Sequence, residues 1–184
     1  MSSDKYQHGE TASLSGSETS ELIVLAGDMA LRAGLAIGST HRGYLASTVV
    51  DVHLKRRNRG LARAMKHMAL RIRKFAAQSG VEQVDCVAYE EPTMHTRNAN
   101  RLPQYATISA LIWAGDDLGC RELLAGYWPS NVKKRATGDG RADKAAMLRA
   151  AQKWSLNSDI TDHNEADAVM ILKCSLDDLL GENS

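Results

Sequence analysis

The sequence has few of the residues that cross-link or anchor a small protein. Its 184 residues include three cysteines, three prolines and one phenylalanine. Cys86, Cys120 and Cys174 are far apart and form no Cys-x-x-Cys pair, which argues against a disulfide framework and a structural zinc site. No apolar stretch approaches the roughly 20 residues of a membrane-spanning helix, and residues 1–21 lack the apolar core of a signal peptide. These absences predict a cytoplasmic protein whose residues 1–21 form a disordered tail.

The sequence also lacks an overall excess of charge, because its formal net charge is only +1. The charges are nevertheless sorted along the chain. Between residues 52 and 81 every formal charge is positive, on Lys55, Arg56, Arg57, Arg59, Arg63, Lys66, Arg71, Arg73 and Lys74. Such a block can bind phosphate although the whole molecule is nearly neutral. A solvated helix face explains the block equally well.

The hydrophobic pattern predicts one α/β domain. A chain that is 43% hydrophobic over 184 residues is long enough for one full domain, which we place at residues 22–184. Strands are predicted at residues 22–27, 34–38, 45–54, 81–89 and 121–127, and helices at 59–78, 103–113, 142–154 and from 163 onward. Three neighbouring strands followed by alternating helices and strands indicate a mixed sheet covered by helices.

Three acidic residues stand beside apolar runs. Asp28 follows one predicted strand, Glu90 ends another, and Asp167 lies early in the apolar last helix. A carboxylate in such a place needs compensation, and a divalent cation is a common form of it. Sites in α/β sheets usually gather at strand ends on one side, so Asp28 and Glu90 would meet there if their strands are adjacent. Taken singly, each acid is more often a turn residue or a solvated charge.

Helix chemistry separates the acids near the C-terminus. Asp162 and Glu165 form a capping-box pattern, which gives both a structural explanation. Asp167 has no such explanation. His163 and Asn164 precede it by four and three residues and share its helix face. Either side chain could complete a metal shell around Asp167.

A basic segment punctuated by glycine lies between the second and third acids. Residues 132–144 are predicted to form a loop that leads into a helix. The candidate DNA-binding residues in this segment are Lys133, Lys134, Arg135, Gly138, Gly140, Arg141 and Lys144. Acids for a metal together with a basic loop for phosphate predict an enzyme that cuts nucleic acid.

In order along the chain, four motifs resemble the RuvC family of Holliday-junction resolvases, particularly its divergent phage-type members. Asp28 followed by Gly34-Leu35-Ala36 is similar to the family's first strand, catalytic Asp and glycine-bearing turn. Val87-Ala88-Tyr89-Glu90-Glu91 is similar to the segment that holds the catalytic Glu. Pro129-Ser130-Asn131-Val132-Lys133, with the glycine–lysine pattern of residues 137–144, is the most specific match. Asn164-Glu165-Ala166-Asp167-Ala168 resembles the closing Ala-Asp-Ala motif.

The resemblance implies an RNase H-like fold, with a mixed five-stranded sheet and helices on both faces. It further implies a homodimer that cuts opposed strands of a four-way DNA junction with Mg²⁺ or Mn²⁺. Asp28, Glu90 and Asp167 become metal ligands, and Lys133 and Lys144 become contacts to phosphate. The glycines of the basic segment would let backbone N–H groups approach a phosphate.

The chain departs from the family pattern at three places. Asn164 stands where the family often has Asp or His, so the fourth metal ligand is Asn164 or His163. Met29-Ala30 replaces the usual Pro-Gly, and the segment after Glu90 lacks the aromatic residue of the bacterial enzymes.

Two other functions remain open from the sequence. One is a broader RNase H-like nuclease that acts on branched DNA or RNA–DNA hybrids. The other is a non-catalytic junction-binding protein. The tryptophans and Tyr105 are predicted to lie in the core or in a dimer interface, for which the apolar helix over residues 105–113 is the best candidate.

Overall fold

A computed structural model describes residues 20–30, 32–51, 60–92 and 101–182. The predicted tail therefore lies almost wholly outside the described residues, as does the basic stretch 52–59. The strands are β1 (Ile23–Asp28), β2 (Arg32–Ser39), β3 (Gly43–Asp51), β4 (Cys86–Glu90) and β5 (Glu122–Tyr127). The helices are α1 (Gly60–Gln78), α2 (Arg101–Asp117), α3 (Pro129–Thr137), α4 (Lys144–Ser155) and α5 (His163–Leu180).

The five strands form one mixed sheet in the order β3-β2-β1-β4-β5. The first three strands pair antiparallel, as expected of consecutive strands joined by short turns. β1 then pairs parallel with β4, and β4 with β5, and helices α1 and α2 make the two crossovers. The predicted mixed five-stranded sheet is confirmed.

Each face of the sheet carries its own hydrophobic core. Leu25, Leu35 and Val87 point to one face and pack under α1 and α2. Their neighbours in the strands, such as Ala26 and Ala88, point to the other face and pack against α4 and α5. Alternation with a period of two along each strand supplies both cores, and the predicted arrangement of helices on both faces is confirmed.

The sequence prediction was wrong at two places, the start of β4 and the basic loop. β4 begins at Cys86 and not at residue 81. Val81 and Val84 are buried because they pack in the core outside a strand. The predicted basic loop is largely helical, since α3 occupies Pro129–Thr137. Proline at the first helical position and a left-handed glycine, Gly138, after the last turn are typical helix boundaries.

Large aromatic residues are more exposed than core packing would allow. Tyr105, Trp113 and Trp128 are 50%, 53% and 47% exposed, so these three side chains do not lie in the core. Trp154 is half-buried and packs edge-on against Tyr44, with ring centroids 6.4 Å apart. Among the described residues, no helix is long and apolar enough to cross a membrane.

Candidate metal and phosphate site

Asp28 and Glu90 are the last residues of two adjacent parallel strands. Gly27 of β1 is paired with Tyr89 of β4, so the next residue of each strand carries its carboxylate to the same edge of the sheet. The sequence located both acids at strand ends. The sheet order shows that the two strands are neighbours.

Helix α5 brings Asp167 to the same edge. Its first turn lies directly on β2, where Gly34 is the strand partner of Asp28. A Cβ atom at Gly34 would overlap the backbone carbonyl of Asn164. Gly34 lies within β2 and not in a turn. Its missing side chain lets the start of α5 approach Asp28 closely.

The pKa values of the three carboxyls show that they share one environment. Burial, then the charges of Asp167 and Asp162, raise the pKa of Asp28 to about 7. Burial, then Asp28 and Asp167, raise the pKa of Glu90 to about 8. Burial also raises the pKa of Asp167. The structure therefore brings the three predicted acids together as mutually repelling charges.

Two of the predicted lysines lie beside these carboxyls. Lys133 on α3 opposes the rise in the pKa of Glu90 and of Asp167, and Lys144 does the same for Asp28 and Asp167. Lys144 is the first residue of α4, whose N-cap Asp143 accepts a 2.7 Å hydrogen bond from the N–H of Ala146. Lys144 thus lies at the start of α4 and Lys133 in the middle of α3, and the charges of both act on the carboxyl cluster.

The other basic candidates are exposed or are held by different partners. Arg135 binds α5, through a 2.8 Å ion pair with Asp178 and a 3.0 Å hydrogen bond to the carbonyl of Cys174. Lys134 and Arg141 are exposed.

The glycines of the basic segment serve the local fold in this structure. The N–H of Gly138 donates to the carbonyl of Lys134 and caps α3, so this group is not free for a phosphate. Gly140 lies close to the start of α3, because an added Cβ would come within 3.1 Å of the Ser130 carbonyl.

The two candidates for a fourth ligand differ in their contacts. The Asn164 amide nitrogen donates to the carbonyl of Arg32 at 2.7 Å, which leaves the amide oxygen as its possible ligand atom. His163 lies near enough to Asp167 to lower its pKa. Each candidate is thus near the first turn of α5 and the carboxyls.

The carboxyl cluster fits a divalent cation by its chemistry, although not as a formed shell. In the described part of the chain, no three His, Cys, Asp or Glu side chains are arranged closely enough to hold a metal ion. The charges of Asp28 and Asp167 nevertheless raise the pKa of Glu90, and the charge of Asp167 raises the pKa of Asp28, so the three acids lie near enough to repel one another. A hard cation such as Mg²⁺ prefers oxygen ligands and would relieve their repulsion.

One supporting residue, Arg32, was missed at the sequence level. Its guanidinium binds both carboxylate oxygens of Asp51 at 3.0 and 2.9 Å, and reaches Asp162 at 2.7 Å. Asp162 in turn accepts from the N–H groups of Asn164 and Glu165, as its predicted capping role requires. Although burial opposes ionisation, these bonds hold the pKa of Asp162 below its ordinary value. An exposed arginine at the start of a strand gives no sequence signal of this role.

The second half of the predicted capping box makes a different contact. The Glu165 carboxylate accepts from the Ser47 hydroxyl of β3 at 2.7 Å. This bond joins the first turn of α5 to the edge strand β3. It adds to the Arg32 contacts that fix the position of the helix.

No family model and no curated protein matches the chain. Solved structures do match. A structure of Thermus thermophilus RuvC superposes with a TM-score of 0.67 and 18% identity, covering 87% of this chain and 97% of that one. A structure of T. thermophilus RuvC in complex with Holliday junction substrate gives 0.66 and 17%, covering 87% and 96%. The chain therefore has a RuvC-like fold.

Proposed function

We propose that this protein is a structure-selective DNA endonuclease that resolves four-way junctions by metal-dependent hydrolysis of phosphodiester bonds. The observation that carries the proposal is the cluster of Asp28, Glu90 and Asp167, flanked by Lys133 and Lys144, at one edge of a RuvC-like sheet. One of the similar structures is a RuvC complex with Holliday junction substrate. The fold, the acids and the lysines all favour the same chemistry.

The three carboxylates would hold Mg²⁺ or Mn²⁺, with Asn164 or His163 completing the set. Bound divalent ions supply an activated water and stabilise the leaving oxygen of a phosphodiester. Lys133 and Lys144 face the same cluster and offer positive charge to the phosphate during cleavage. The exposed residues Lys134 and Arg141 extend this positive surface along the bound DNA.

The direct test is cleavage of a labelled synthetic four-way junction, a Y-fork, a linear duplex and an RNA–DNA hybrid. Each substrate is incubated with Mg²⁺, Mn²⁺ or EDTA, with the wild-type protein and with Asp28→Asn. We expect paired, metal-dependent nicks across the junction, absent in the variant. Full cleavage by Asp28→Asn would remove the central residue of the proposal.

Two alternatives have different outcomes in the same experiment. Equal cutting of forks or hybrids would identify a broader RNase H-like nuclease. Tight junction binding without cutting in any metal would identify a junction-binding protein. The observation that favours this alternative is that the described residues do not form a metal shell.

The proposed resolvase would act as a homodimer. Tyr105, Ser109 and Trp113 recur every four residues and form an exposed stripe on α2. Leu123 at the neighbouring sheet edge is 52% exposed and lines a shallow cavity of about 370 Å³ together with Trp113. An exposed apolar surface of this kind is typical of protein interfaces. We place the activity in the cytoplasm, that of an infected host if the chain is phage-encoded.

A further inference from the structure

Trp128 lies at the same edge of the sheet as the carboxyl cluster. It directly follows Tyr127, the last residue of β5, and Tyr127 is the strand partner of Glu90. Its carbonyl accepts from the N–H groups of Asn131 and Val132 at 2.9 and 3.0 Å and so begins α3. A strand end and a helix start therefore fix the backbone of Trp128 one strand away from Glu90.

The indole of Trp128 presents an aromatic surface to solvent. The side chain is 47% exposed, and the ring contact found within the described residues joins Tyr44 and Trp154 instead. An exposed, rigidly placed aromatic ring is a surface on which an unpaired base can stack. No part of the carboxyl cluster or of the predicted dimer stripe uses this ring.

A cavity adjoins the ring. It measures about 770 Å³, and its lining includes Tyr127, Trp128, Asn131, Lys134, Arg135 and Asp178. This volume is within the range of sites that bind small organic ligands, roughly 300–1,000 Å³. The lining combines the flat indole, the Asn131 amide and the exposed Lys134 ammonium.

The charge of the cavity favours an anion. Arg135 and Asp178 form an ion pair and Tyr127 donates to Asp178 at 2.8 Å, so these groups satisfy one another. Lys134 forms no ion pair within the described part of the chain. A base stacked on Trp128 would carry its phosphate toward this ammonium.

We infer that Trp128 and this cavity bind an unpaired nucleotide of the DNA strand next to the cleavage site. The ligand class is single-stranded DNA, recognised by stacking and by phosphate and not by sequence. The inference rests on the proposed function, because the bound strand is part of the DNA that the proposed nuclease cuts. Its test requires no cleavage, so the two can fail separately.

Tryptophan fluorescence tests the inference, because the chain has three tryptophans. A Trp113→Phe/Trp154→Phe protein retains only Trp128, and a Trp128→Phe/Trp154→Phe protein retains only Trp113, which is equally exposed. Each is titrated with oligo-dT in EDTA. We expect quenching in the Trp128 protein and none in the Trp113 protein.

Binding affinities give the second readout. Trp128→Ala should weaken oligo-dT binding by about 10-fold, within the range for one stacked base, whereas Trp128→Phe keeps a ring and Trp113→Phe leaves the site untouched. Both phenylalanine variants should bind much more tightly than Trp128→Ala. Thermal melting confirms that the variants are folded.

Opposite results overturn the inference. Unchanged binding by Trp128→Ala, or equal quenching of both single-tryptophan proteins, excludes a nucleotide site at Trp128. Fluorescence of the Trp128 protein that changes with protein concentration alone assigns the cavity to a second copy of the chain. Oligo-dT binding that depends on Trp128, in a protein that cuts no junction, supports this site and overturns the proposed nuclease.

Discussion

At the residue scale, two neighbouring glutamates have different environments, Glu90 as the last residue of β4 and Glu91 directly after it. Glu90 faces the carboxyl cluster and has a raised pKa. The side chain of Glu91 lies against Gly126 of β5, where an added Cβ would overlap it. Two identical side chains one position apart thus have different surroundings, which provides a matched pair of variants.

We expect Glu90→Gln to lower the rate of junction cleavage by at least about 100-fold, since even residues that only support metal ligands contribute 10- to 100-fold. Glu91→Gln should retain most of the activity. Both variants should bind the junction in EDTA as tightly as wild type, measured by fluorescence anisotropy. Equal losses in the two variants would contradict the assignment of Glu90 as the ligand.

The raised pKa of Asp28 also makes the stability of the metal-free protein depend on pH. The folded-state pKa of about 7 exceeds the ordinary value of 3.8. The ionised carboxylate therefore destabilises the fold, and stability is lost as pH rises through this window. Asp28→Asn does not ionise, so in EDTA its free energy of unfolding should exceed that of wild type by an amount that grows from pH 4 to pH 8.

The difference at pH 8 should be on the order of a few kcal/mol, since one pKa unit corresponds to about 1.4 kcal/mol. Urea unfolding at the two pH values measures it. A difference that is independent of pH would contradict the burial of an ionisable Asp28. Added Mg²⁺ should stabilise wild type more than the variant, by preferential binding to the folded state.

At the element scale, α5 positions Asp167 and depends on contacts with β2. The missing side chain of Gly34 makes room for the backbone of α5 at Asn164 and Glu165. Arg32 then joins Asp51 at the end of β3 to Asp162 at the start of α5. Exposed ion pairs contribute little to stability, so Arg32 should matter more for the position of Asp167 than for folding.

We expect Arg32→Ala to raise the Mg²⁺ concentration needed for half-maximal cleavage by about 10-fold, as removal of outer-shell support does. Its melting temperature should change by only a few degrees. Arg42→Ala is the matched control, because Arg42 forms an exposed ion pair with Glu21 after the opposite end of β2. An unchanged Mg²⁺ requirement in Arg32→Ala would show that α5 is positioned without it.

At the scale of the whole molecule, one carboxyl cluster can cut one DNA strand. The proposed paired cuts across a junction would therefore require two clusters. A second copy of the chain is the simplest source of the second cluster. Helices α1 and α2 cover one face of the sheet, and α5 packs on the opposite face. The exposed stripe on α2 is therefore on the opposite side of the sheet from α5. Docking of two copies through this stripe would leave both clusters accessible.

Sedimentation velocity tests the dimer directly. We expect a dimer at micromolar concentration for wild type and a monomer for Trp113→Lys, because a charge at the centre of an apolar contact is costly to bury. Leu156→Lys is the control, since Leu156 is 92% exposed in the turn after α4. A wild-type monomer would exclude this interface at these concentrations.

Local patterns in the sequence determined most elements and the identity of the acids. Short apolar runs predicted β1, β2 and β5 to within two residues at each end, and helical spacing predicted α1. The positions of α4 and of the start of α5 were also predicted. The capping residue Asp162 was also predicted, because a helix N-cap depends on neighbours in sequence. The errors at β4 and α3 arose where buried valines and a glycine-containing basic segment resemble another element.

Tertiary structure decided what those residues do together. The order β3-β2-β1-β4-β5 placed the strand end at Asp28 beside the strand end at Glu90, although the two residues are 62 positions apart in the sequence. The missing side chain of Gly34 admitted α5, and Arg32 fixed its first turn. The same packing left Trp128 exposed beside a cavity. These are contacts between residues distant in sequence, and no local periodicity or propensity encodes them. The sequence by itself determined which side chains could perform the proposed chemistry. Only the sheet order, the packing of α5 against the sheet and the packing of α3 against α4 and α5 decided that they lie near one another.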